Sequence, residues 1–315
     1  MPAGGKNIKK VETYSFVKYV HVISSCHLDI GFKDTAAGII NLYFDIYIPL
    51  AVSQGQQIRS GKFPRVFRGN KLNFMFQSWV ISMYLDCPPN MGLHCPSAEN
   101  ITMAEDAIRK GDITWHAFPH NAQLEIMSKS MIEAGLDLTF QLDDKFNLKR
   151  KQTLSQRDVP GISRNIIPIL KKNNVTAISI GGNGGSTPPN LPPCFIWEDS
   201  NKNEMYGLYT WPGYGMFPLT GSDKQQNMCV VDGLEHALVY NWNGDNDGPS
   251  TDLSIYEKHW NEISQVFPNA EIIPSTFDNF TQHLDSVKDK LPKVTAEVGD
   301  TWIYGVPSDP QKVSK

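Results

Sequence analysis

The sequence contains few of the features that mark disulfide-rich, nucleic-acid-binding or membrane-spanning proteins. Only five of its 315 residues are cysteines, so a disulfide framework is not its organising principle. The longest basic cluster is LKRKQ at 148–152, and the formal net charge is −4, so nucleic acid is not expected as a partner. No apolar run approaches the roughly 20 residues that cross a bilayer. No membrane association is therefore predicted.

The N-terminal segment MPAGGKNIKKVETYSF lacks the apolar stretch of a secretory signal peptide. Taken literally, this predicts a cytoplasmic protein. Two features point to secretion instead. Asn-x-Ser/Thr sequons occur at Asn100, Asn174 and Asn279, and Cys87 and Cys95 bracket a short loop that a disulfide would close. The sequence therefore leaves the compartment open.

The alternation of strand-like and helix-like segments indicates the fold class. Helices are predicted at 35–54, at 102–111 with a capping box formed by Thr102 and Glu105, and at 122–134 before Gly135. Strands are predicted at 17–25, 72–78, 112–118, 152–158, 175–182, 236–242, 270–275 and 294–300. This order predicts an α/β fold with parallel strands and intervening helices, and the length suits a closed barrel. We expect one domain over 17–315 after an N-terminal extension over 1–16.

One long segment, 183–233, interrupts the alternation. It begins with the Gly- and Pro-rich loop GGNGGSTPPNLPP and continues into CFIWEDSNKNEMYGLYTW, which predicts a β-hairpin turning at Asn201–Asn203. A loop insertion of this length in a barrel is typically a lid or a specificity element.

Polar residues gather where the predicted strands end, which is where α/β folds of this kind bind ligands. The set comprises His27, Asp29, His116, His120, Arg157, Asp158, Asn243, Asp245, Asn246, Asp247, Asp300 and Trp302. For each residue alone, a polar turn at a strand end is the more common explanation, whereas the set as a whole favours a site. Aromatic residues at the same rim would stack on sugar faces or pack in the core.

The pair His27 and Asp29 has the residue types that bind a divalent ion. The two side chains converge if the backbone bends where the strand ends. A site requires at least one further ligand, and His120 and Asp300 are the candidates.

HLDIGF, at 27–32, resembles the His-x-Asp-x-Gly-aromatic start of the catalytic domain of glycoside hydrolase family 38, the α-mannosidase type. Four later segments are similar to segments of that family in the same order over roughly 20–300: AIRKGDITWHAFPHNAQLE, RDVPGISRNIIPILKKNNVTAISI, NWNGDNDGP and PNAEIIPSTFDNFTQHL. The resemblance implies a (β/α)₇-type barrel with one zinc ion and a carbohydrate substrate, in a divergent subgroup that lacks the family's C-terminal β domains.

The resemblance also implies roles for individual residues. In the family the metal is bound by the first His and Asp, by the nucleophilic Asp and by a later His, and the first two fall on His27 and Asp29. The Asp-x-x-Gly-x-Ser motif gives Asp158 as an acid/base candidate. The family's Pro-Asp-Glu-Ala aligns with PHNA, so His120 replaces the nucleophilic Asp, while Asp300 stands where the later His is missing.

These observations predict a metal-dependent carbohydrate-active enzyme that resembles glycoside hydrolases. The predicted catalytic residues are Asp158 and His120; the zinc ligands are His27, Asp29, His120 and Asp300; the substrate-binding residues are Trp115, Arg157, Asp245, Trp242 and Trp302. A lyase acting on uronate sugars and a non-catalytic sugar-binding or structural barrel are the alternatives. A deacetylase-like metal enzyme is a weaker third hypothesis. The sugar, its linkage and the oligomeric state are not determined.

Overall fold

A computed structural model describes residues 12–63, 66–158, 161–183, 185, 189–211, 213–215, 219 and 227–299. These residues form two mixed β-sheets with helices packed around them. The strands are β1 (Tyr19–His27), β2 (Phe74–Met75), β3 (Ile113–Thr114), β4 (Thr153–Asp158), β5 (Ala177–Gly182), β6 (Cys194–Glu198), β7 (Glu204–Thr210), β8 (Met228–Cys229), β9 (His236–Asp245), β10 (Glu271–Pro274) and β11 (Lys293–Val294).

Helices occur between most of the strands. They are α1 (Ala36–Leu42), α2 (Ile48–Arg59), α3 (Ser78–Leu85), α4 (Ala98–Lys110), α5 (Lys129–Lys145), α6 (Ile167–Lys172), α7 (Ser254–Val266) and α8 (Phe277–Thr281). A π-helical turn, Tyr43–Tyr47, joins α1 and α2, and short 3₁₀ turns occupy Leu124–Ile126, Arg164–Ile166 and Leu284–Lys290.

The first sheet has the order β3-β2-β1-β9-β8, and β10 pairs with the start of β1. All of its pairs are parallel except β8 with β9. The second sheet has the order β11-β6-β7-β5-β4, in which only β6 and β7 are antiparallel. The prediction of an α/β fold built mainly on parallel strands is confirmed.

Single backbone hydrogen bonds join the two sheets at two places. The Ala117 N–H donates to the Thr153 carbonyl at 2.8 Å, between the segment after β3 and the start of β4. The Trp242 N–H, on β9, donates to the Gly215 carbonyl at 3.2 Å. Among the described residues these junctions are single hydrogen bonds and not strand ladders, so the ladders form two sheets, and the closed barrel stays a prediction.

The hairpin predicted inside 183–233 is confirmed, but it is not an isolated insertion. Strands β6 and β7 pair antiparallel, and the Asp199 carboxylate accepts hydrogen bonds from the Asn201 and Asn203 N–H groups in the turn, both at 2.8 Å. Strand β7 also pairs with β5 in parallel. The hairpin therefore completes the second sheet, because a two-stranded hairpin alone buries too little apolar surface to be stable.

The ends of α4 only partly match the prediction. Gly111 ends the helix in the left-handed conformation, as predicted, with φ of 79°. The helix begins earlier than expected, because the Ser97 hydroxyl caps it by accepting from the Asn100 N–H at 3.2 Å. Thr102 lies inside the helix and donates to the Ala98 carbonyl. The predicted capping box is therefore wrong.

Gly135 does not end a helix, as the sequence predicted, but lies within α5. A Cβ atom on Gly135 would lie 2.8 Å from the ring of Phe118. The glycine allows the helix to approach the segment that follows β3, so a tertiary contact explains it and a helix end does not.

The continuous helix Ala36–Arg59 corrects the expectation that no segment is long and apolar enough to cross a membrane. Its 24 residues reach a mean hydropathy of 1.4 over an 18-residue window, enough by length and composition. Scattered polar residues prevent an uninterrupted apolar run, which is why the sequence did not reveal it. In the fold, Ile39, Tyr43, Ile48 and Val52 on this helix are buried in the hydrophobic core.

A disulfide joins Cys87 and Cys95, whose Cα atoms lie 5.6 Å apart, and this confirms the loop closure suggested by their spacing. The remaining cysteines, Cys26, Cys194 and Cys229, are buried and free.

Candidate functional site

A pocket of about 470 Å³ lies where β1 and β4 end, beside the segment that follows β3. Four of the predicted site residues, His27, Asp29, His120 and Asp158, line this pocket together. Its other lining residues are Leu28, Ile30, Gln77, Trp79 and Asn121. The expectation that polar strand ends would converge is met for these four residues.

His27, the last residue of β1, is buried and has a defined hydrogen-bonding environment. Its Nδ1 atom lies 3.1 Å from the Asn121 amide nitrogen. The Asn121 oxygen accepts from the Arg157 N–H at 2.9 Å, which fixes the orientation of the amide. Because an amide nitrogen is only a donor, Nδ1 of His27 accepts. The proton of the neutral imidazole is therefore on Nε2.

Asp158 ends β4 with φ of 71°, a left-handed conformation that is costly for a residue with a Cβ atom. Its Oδ1 atom accepts from the Asn183 amide at 2.6 Å and from the Tyr214 hydroxyl at 3.1 Å. Its Oδ2 atom lies 3.7 Å from Nε2 of His27. The Tyr214 ring also stacks on the His27 ring, with centroids 4.7 Å apart. Tyr214 therefore contacts both members of the pair.

The site shifts the pKa values of its ionisable groups in opposite directions. Burial lowers the pKa of His27, although the nearby carboxylates of Asp158, Asp245 and Asp29 oppose the shift. Burial also raises the pKa of Asp29, and the charges of Asp245 and Asp158 add to this effect. The same environment thus favours a neutral imidazole and a protonated Asp29.

Asn246 holds the loop that carries Asp29. At the register shift after Cys26, His27 pairs with Asp245 of β9. The Asn246 N–H then donates to the His27 carbonyl at 2.8 Å. Its side-chain amide donates to the Asp29 carbonyl at 2.8 Å and accepts from the Asp29 N–H at 3.1 Å. This clamp fixes where the chain turns after β1.

Arg157 and Trp242, predicted to bind substrate, instead stack on each other in the protein interior. The Arg157 guanidinium is 2% exposed and lies 4.7 Å from the centre of the Trp242 ring and 5.2 Å from that of Tyr240. It donates to the Ser179 hydroxyl at 2.8 Å. Burial lowers the pKa of Arg157 to about 10. Its place is behind the pocket wall, where it supports the strand ends.

Of the remaining predicted residues, Trp115 and Asp245 are described, and neither lines the pocket. Trp115 is 1% exposed, and its indole N–H donates to Asp143 at 2.9 Å, so its ring faces are covered by the core. Asp245 ends β9, where it lies near Tyr214; burial and hydrogen bonding to Asp245 raise the pKa of that tyrosine. Asp300 and Trp302 lie outside the described residues.

The described members of the predicted zinc set, His27, Asp29 and His120, are not assembled into a metal site, and Asp300 lies outside the described residues. Zinc ligand atoms lie 2.0–2.2 Å from the ion, so they must approach one another within about 4 Å. Among the described residues, the ligand atoms of His27, Asp29 and His120 do not all lie within 4.8 Å of one another. Nε2 of His27 also carries the proton that a metal would have to replace. As placed, this set does not fit one zinc ion.

The sequence assigned no role in the site to Asn121, Asn183 or Asn246, although each supplies a hydrogen bond that positions it. Asn183 and Asn246 directly follow β5 and β9, and Asn246 was already among the polar residues at strand ends, whereas Asn121 lies next to His120 in the segment after β3. Asparagine is common in turns, because its side chain bonds to the neighbouring backbone. From residue type alone, these three residues are therefore expected to be ordinary loop residues.

Comparison of the sequence with protein-family models and with curated proteins finds no match. Solved structures do match. An α-mannosidase from Enterococcus faecalis V583 superposes with a TM-score of 0.59 at 14% identity. A protein of glycosyl hydrolase family 38 from Enterococcus faecalis superposes with a TM-score of 0.51 at 16% identity. The chain has a family 38 glycosidase fold.

The same fold comparison extends to the 4-α-glucanotransferase from Thermococcus litoralis, with a TM-score of 0.55 at 10% identity. Each match covers 89% of this chain but only 31%, 28% and 40% of the respective neighbour. The chain thus spans less than half the length of these proteins. The resemblance to family 38 predicted from the sequence is confirmed at the level of the fold.

Proposed function

We propose that the chain is a glycoside-active enzyme that cleaves glycosidic bonds in the pocket formed by His27, Asp29, His120 and Asp158. The fold supports the proposal, since its neighbours include an α-mannosidase and a 4-α-glucanotransferase. As part of the proposal, the two sheets are the halves of a (β/α)₇-type barrel. Its seven strands would be β9, β1, β2, β3, β4, β5 and β7, and the single hydrogen bonds at Ala117 and Trp242 are consistent with this.

The observation that carries the proposal is the fixed carboxylate of Asp158. Two donors, from Asn183 and Tyr214, hold one of its oxygens. The other oxygen faces the Nε2–H group of His27. A carboxylate oriented in advance, on a strained residue in a pocket, has the properties of a catalytic group.

Asp29 supplies a second carboxyl group, whose pKa burial raises. Glycoside hydrolysis uses one carboxyl group as an acid and another as a base or nucleophile. Because burial raises its pKa, Asp29 is the proposed acid, which gives its proton to the leaving glycosidic oxygen. Asp158 either takes a proton from the water that attacks the anomeric carbon, or attacks that carbon itself before water releases the sugar. In both cases, water adds a hydroxyl group to the sugar and a proton to the leaving group.

Zinc in this pocket is a separate proposal. His27 and Asp158 offer a nitrogen and an oxygen donor 3.7 Å apart. For His27 to ligate through Nε2, the Asn121 amide has to turn over and give up its hydrogen bond from Arg157. Each step assigned above to Asp29 and Asp158 is independent of a metal.

A lyase acting on uronate sugars is the second candidate, and His120 favours it. The His120 Nδ1–H donates to the Asn121 carbonyl at 3.0 Å, so Nε2 is the nitrogen with the lone pair in the neutral tautomer of the ring. That nitrogen is able to take the proton next to a uronate carboxylate. The elimination then breaks the bond to the glycosidic oxygen, which leaves with a proton from the solvent, and a double bond remains in the sugar; His120 later returns its proton to the solvent.

We also propose the compartment in which the protein functions. The disulfide between Cys87 and Cys95 is stable in an oxidising environment, such as the secretory route or the cell exterior. We therefore favour the secreted alternative.

The test is turnover of a panel of aryl α- and β-glycosides, with uronate polymers followed by the ultraviolet absorbance of unsaturated products. Asp158→Asn should reduce glycoside turnover by about 1,000-fold or more, and Asp144→Asn, at an exposed ion pair with Arg150, is the matched control. Unsaturated products that depend on His120 would establish the lyase. Saturable sugar binding without any turnover would contradict the proposed enzyme and support the alternative of a non-catalytic sugar-binding protein.

A further inference from the structure

We infer that His21, His236 and His283 form a second site, for a divalent transition metal, at the end of the sheet opposite to the pocket. His21 is the third residue of β1, and His236 is the first residue of β9. His283 stands directly before the turn Leu284–Lys290. His27 is six residues further along β1, which is about 20 Å in an extended strand. The cluster is therefore distinct from the site described above.

The ligand atoms are near one another, and rotation of the His283 ring out of its stack on His236 would bring all three lone pairs onto one ion. Each histidine offers one ring nitrogen, and these three atoms lie within 4.8 Å of one another. His21 Nε2 and His236 Nδ1 are 3.0 Å apart. Two nitrogens bound to one tetrahedral zinc at 2.0–2.1 Å lie about 3.3 Å apart. A metal between the two nitrogens would replace this hydrogen bond, and the proton would move to Nε2 of His236, so that the ring stays neutral.

Ser275 provides the outer hydrogen bond that metal-binding histidines usually have. Its hydroxyl lies 2.8 Å from Nδ1 of His21. With Nδ1 as the protonated nitrogen, Nε2 has its lone pair free for a metal. The backbone of Ser275 is itself fixed, because its N–H donates to the Val22 carbonyl at 2.9 Å. The orientation of His21 is therefore set before any ion binds.

The three rings are held in the protonation state that a metal requires. Burial lowers the pKa of His21 to about 3, and the neighbouring His236 and His283 add to the shift. Burial also lowers the pKa of His236 and His283. Neutral imidazoles at neutral pH bind a metal without first releasing a proton to the solvent.

Access and ligand type indicate which ions the site would take. His21 is buried, but His236 and His283 are partly exposed, so an ion has a route of entry and water has room to complete the coordination. Three imidazoles suit zinc, cobalt, nickel or copper better than magnesium or calcium, which prefer oxygen ligands. Bound metal would join the start of β1, the start of β9 and the segment after α8.

The competing explanation is aromatic packing alone. The His236 and His283 rings are nearly parallel, with centroids 3.5 Å apart, and Tyr19 stacks on the other side of His236 at 4.9 Å. Packing of neutral rings accounts for this stack without a metal. The experiment must therefore measure metal binding directly.

The full chain, stripped with a chelator and dialysed, is titrated with Zn²⁺ and with Co²⁺. We expect about one Zn²⁺ per chain at this site, a visible absorption spectrum of tetrahedral Co²⁺, and a higher melting temperature with Zn²⁺. His236→Gln and His283→Gln should abolish all three signals, and because both side chains are partly exposed these variants should fold. Ser275→Ala should weaken binding by about 10- to 100-fold.

Two control variants separate this site from other histidines. His94→Gln alters a side chain that is 67% exposed and pairs with Asp45, and it should leave binding unchanged. His27→Ala tests whether the metal binds in the pocket instead. Metal that is lost in His27→Ala but retained in His283→Gln belongs to the pocket, and that result would overturn the inference. So would the absence of Zn²⁺ and Co²⁺ binding in the wild-type chain. None of these measurements depends on glycoside turnover.

Discussion

The Nε2 atom of His27 faces the Oδ2 atom of Asp158 at 3.7 Å, although the two residues end different strands in different sheets. The Tyr214 ring covers the imidazole, and its hydroxyl holds the other carboxylate oxygen. Three separate segments of the chain thus contribute to the position of one candidate catalytic group, the side chain of Asp158. Its chemistry depends on how firmly these contacts orient the carboxylate.

Tyr214→Phe tests that orientation. The substitution keeps the ring that stacks on His27 but removes the hydrogen bond to Asp158. Loss of one bond to a charged group should lower kcat/KM for the best aryl glycoside by about 10- to 100-fold. Tyr206→Phe is the matched control, because its hydroxyl bonds to Asp285 outside the pocket. Equal activity of both variants would show that the hydroxyl of Tyr214 has no role.

The raised pKa of Asp29 predicts the pH profile of the reaction. If Asp29 is the acid, it must be protonated in the free enzyme, so kcat/KM should fall as pH rises through its folded-state pKa. Asp29→Asn should remove this alkaline limb and lower the rate for substrates with poor leaving groups much more than for activated aryl glycosides. A variant whose alkaline limb is identical to that of the wild type would assign the acid to another group.

His116 predicts how stability responds to acid. Burial lowers the pKa of this fully buried ring to about 3, and its interactions with Arg157 and His120 act in the same direction. The unfolded chain, with an ordinary histidine pKa near 6.5, binds the proton first. The free energy of unfolding should therefore decrease as pH falls from about 6.5 toward 3, by roughly 1 kcal/mol per pH unit for this residue.

His116→Asn isolates that contribution, since the Asn oxygen is placed to accept the hydrogen bond that Phe118 N–H now gives to the ring. Denaturant unfolding between pH 4 and 7 should show a shallower pH dependence in the variant. His21, which burial shifts in the same direction, should maintain part of the slope. An unchanged slope would contradict the prediction.

Gly135→Ala tests the close approach of α5 to the segment after β3. Alanine favours a helix by about 1 kcal/mol over glycine, but the new Cβ atom would lie 2.8 Å from the Phe118 ring. We expect the clash to prevail, with a net loss of about 1–2 kcal/mol in thermal or denaturant unfolding. In a double-mutant cycle, Phe118→Leu should relieve most of this cost. If Gly135→Ala is more stable than the wild type, the Phe118 ring shifts away from the new Cβ atom at little cost in free energy.

Local sequence determined the elements of the fold and the ends of its strands. Hydrophobic runs with polar residues at their ends predicted β4 to within one residue and β1 to within two, so that His27, expected just after β1, is its last residue. The turn residues Asn201–Asn203 gave the β6–β7 hairpin. These features depend on a few neighbouring residues, because strand period and turn conformation are local properties.

Tertiary structure decided which of these residues meet. Asn183 and Tyr214 reach Asp158 from the segment read as an insertion. Trp115 and Trp242 have the composition of sugar-binding residues but are covered by the core. His21 and His236 are 215 positions apart and touch only because β1 and β9 are neighbours in the sheet. Sheet order depends on long-range pairing and packing, which no short stretch of sequence contains.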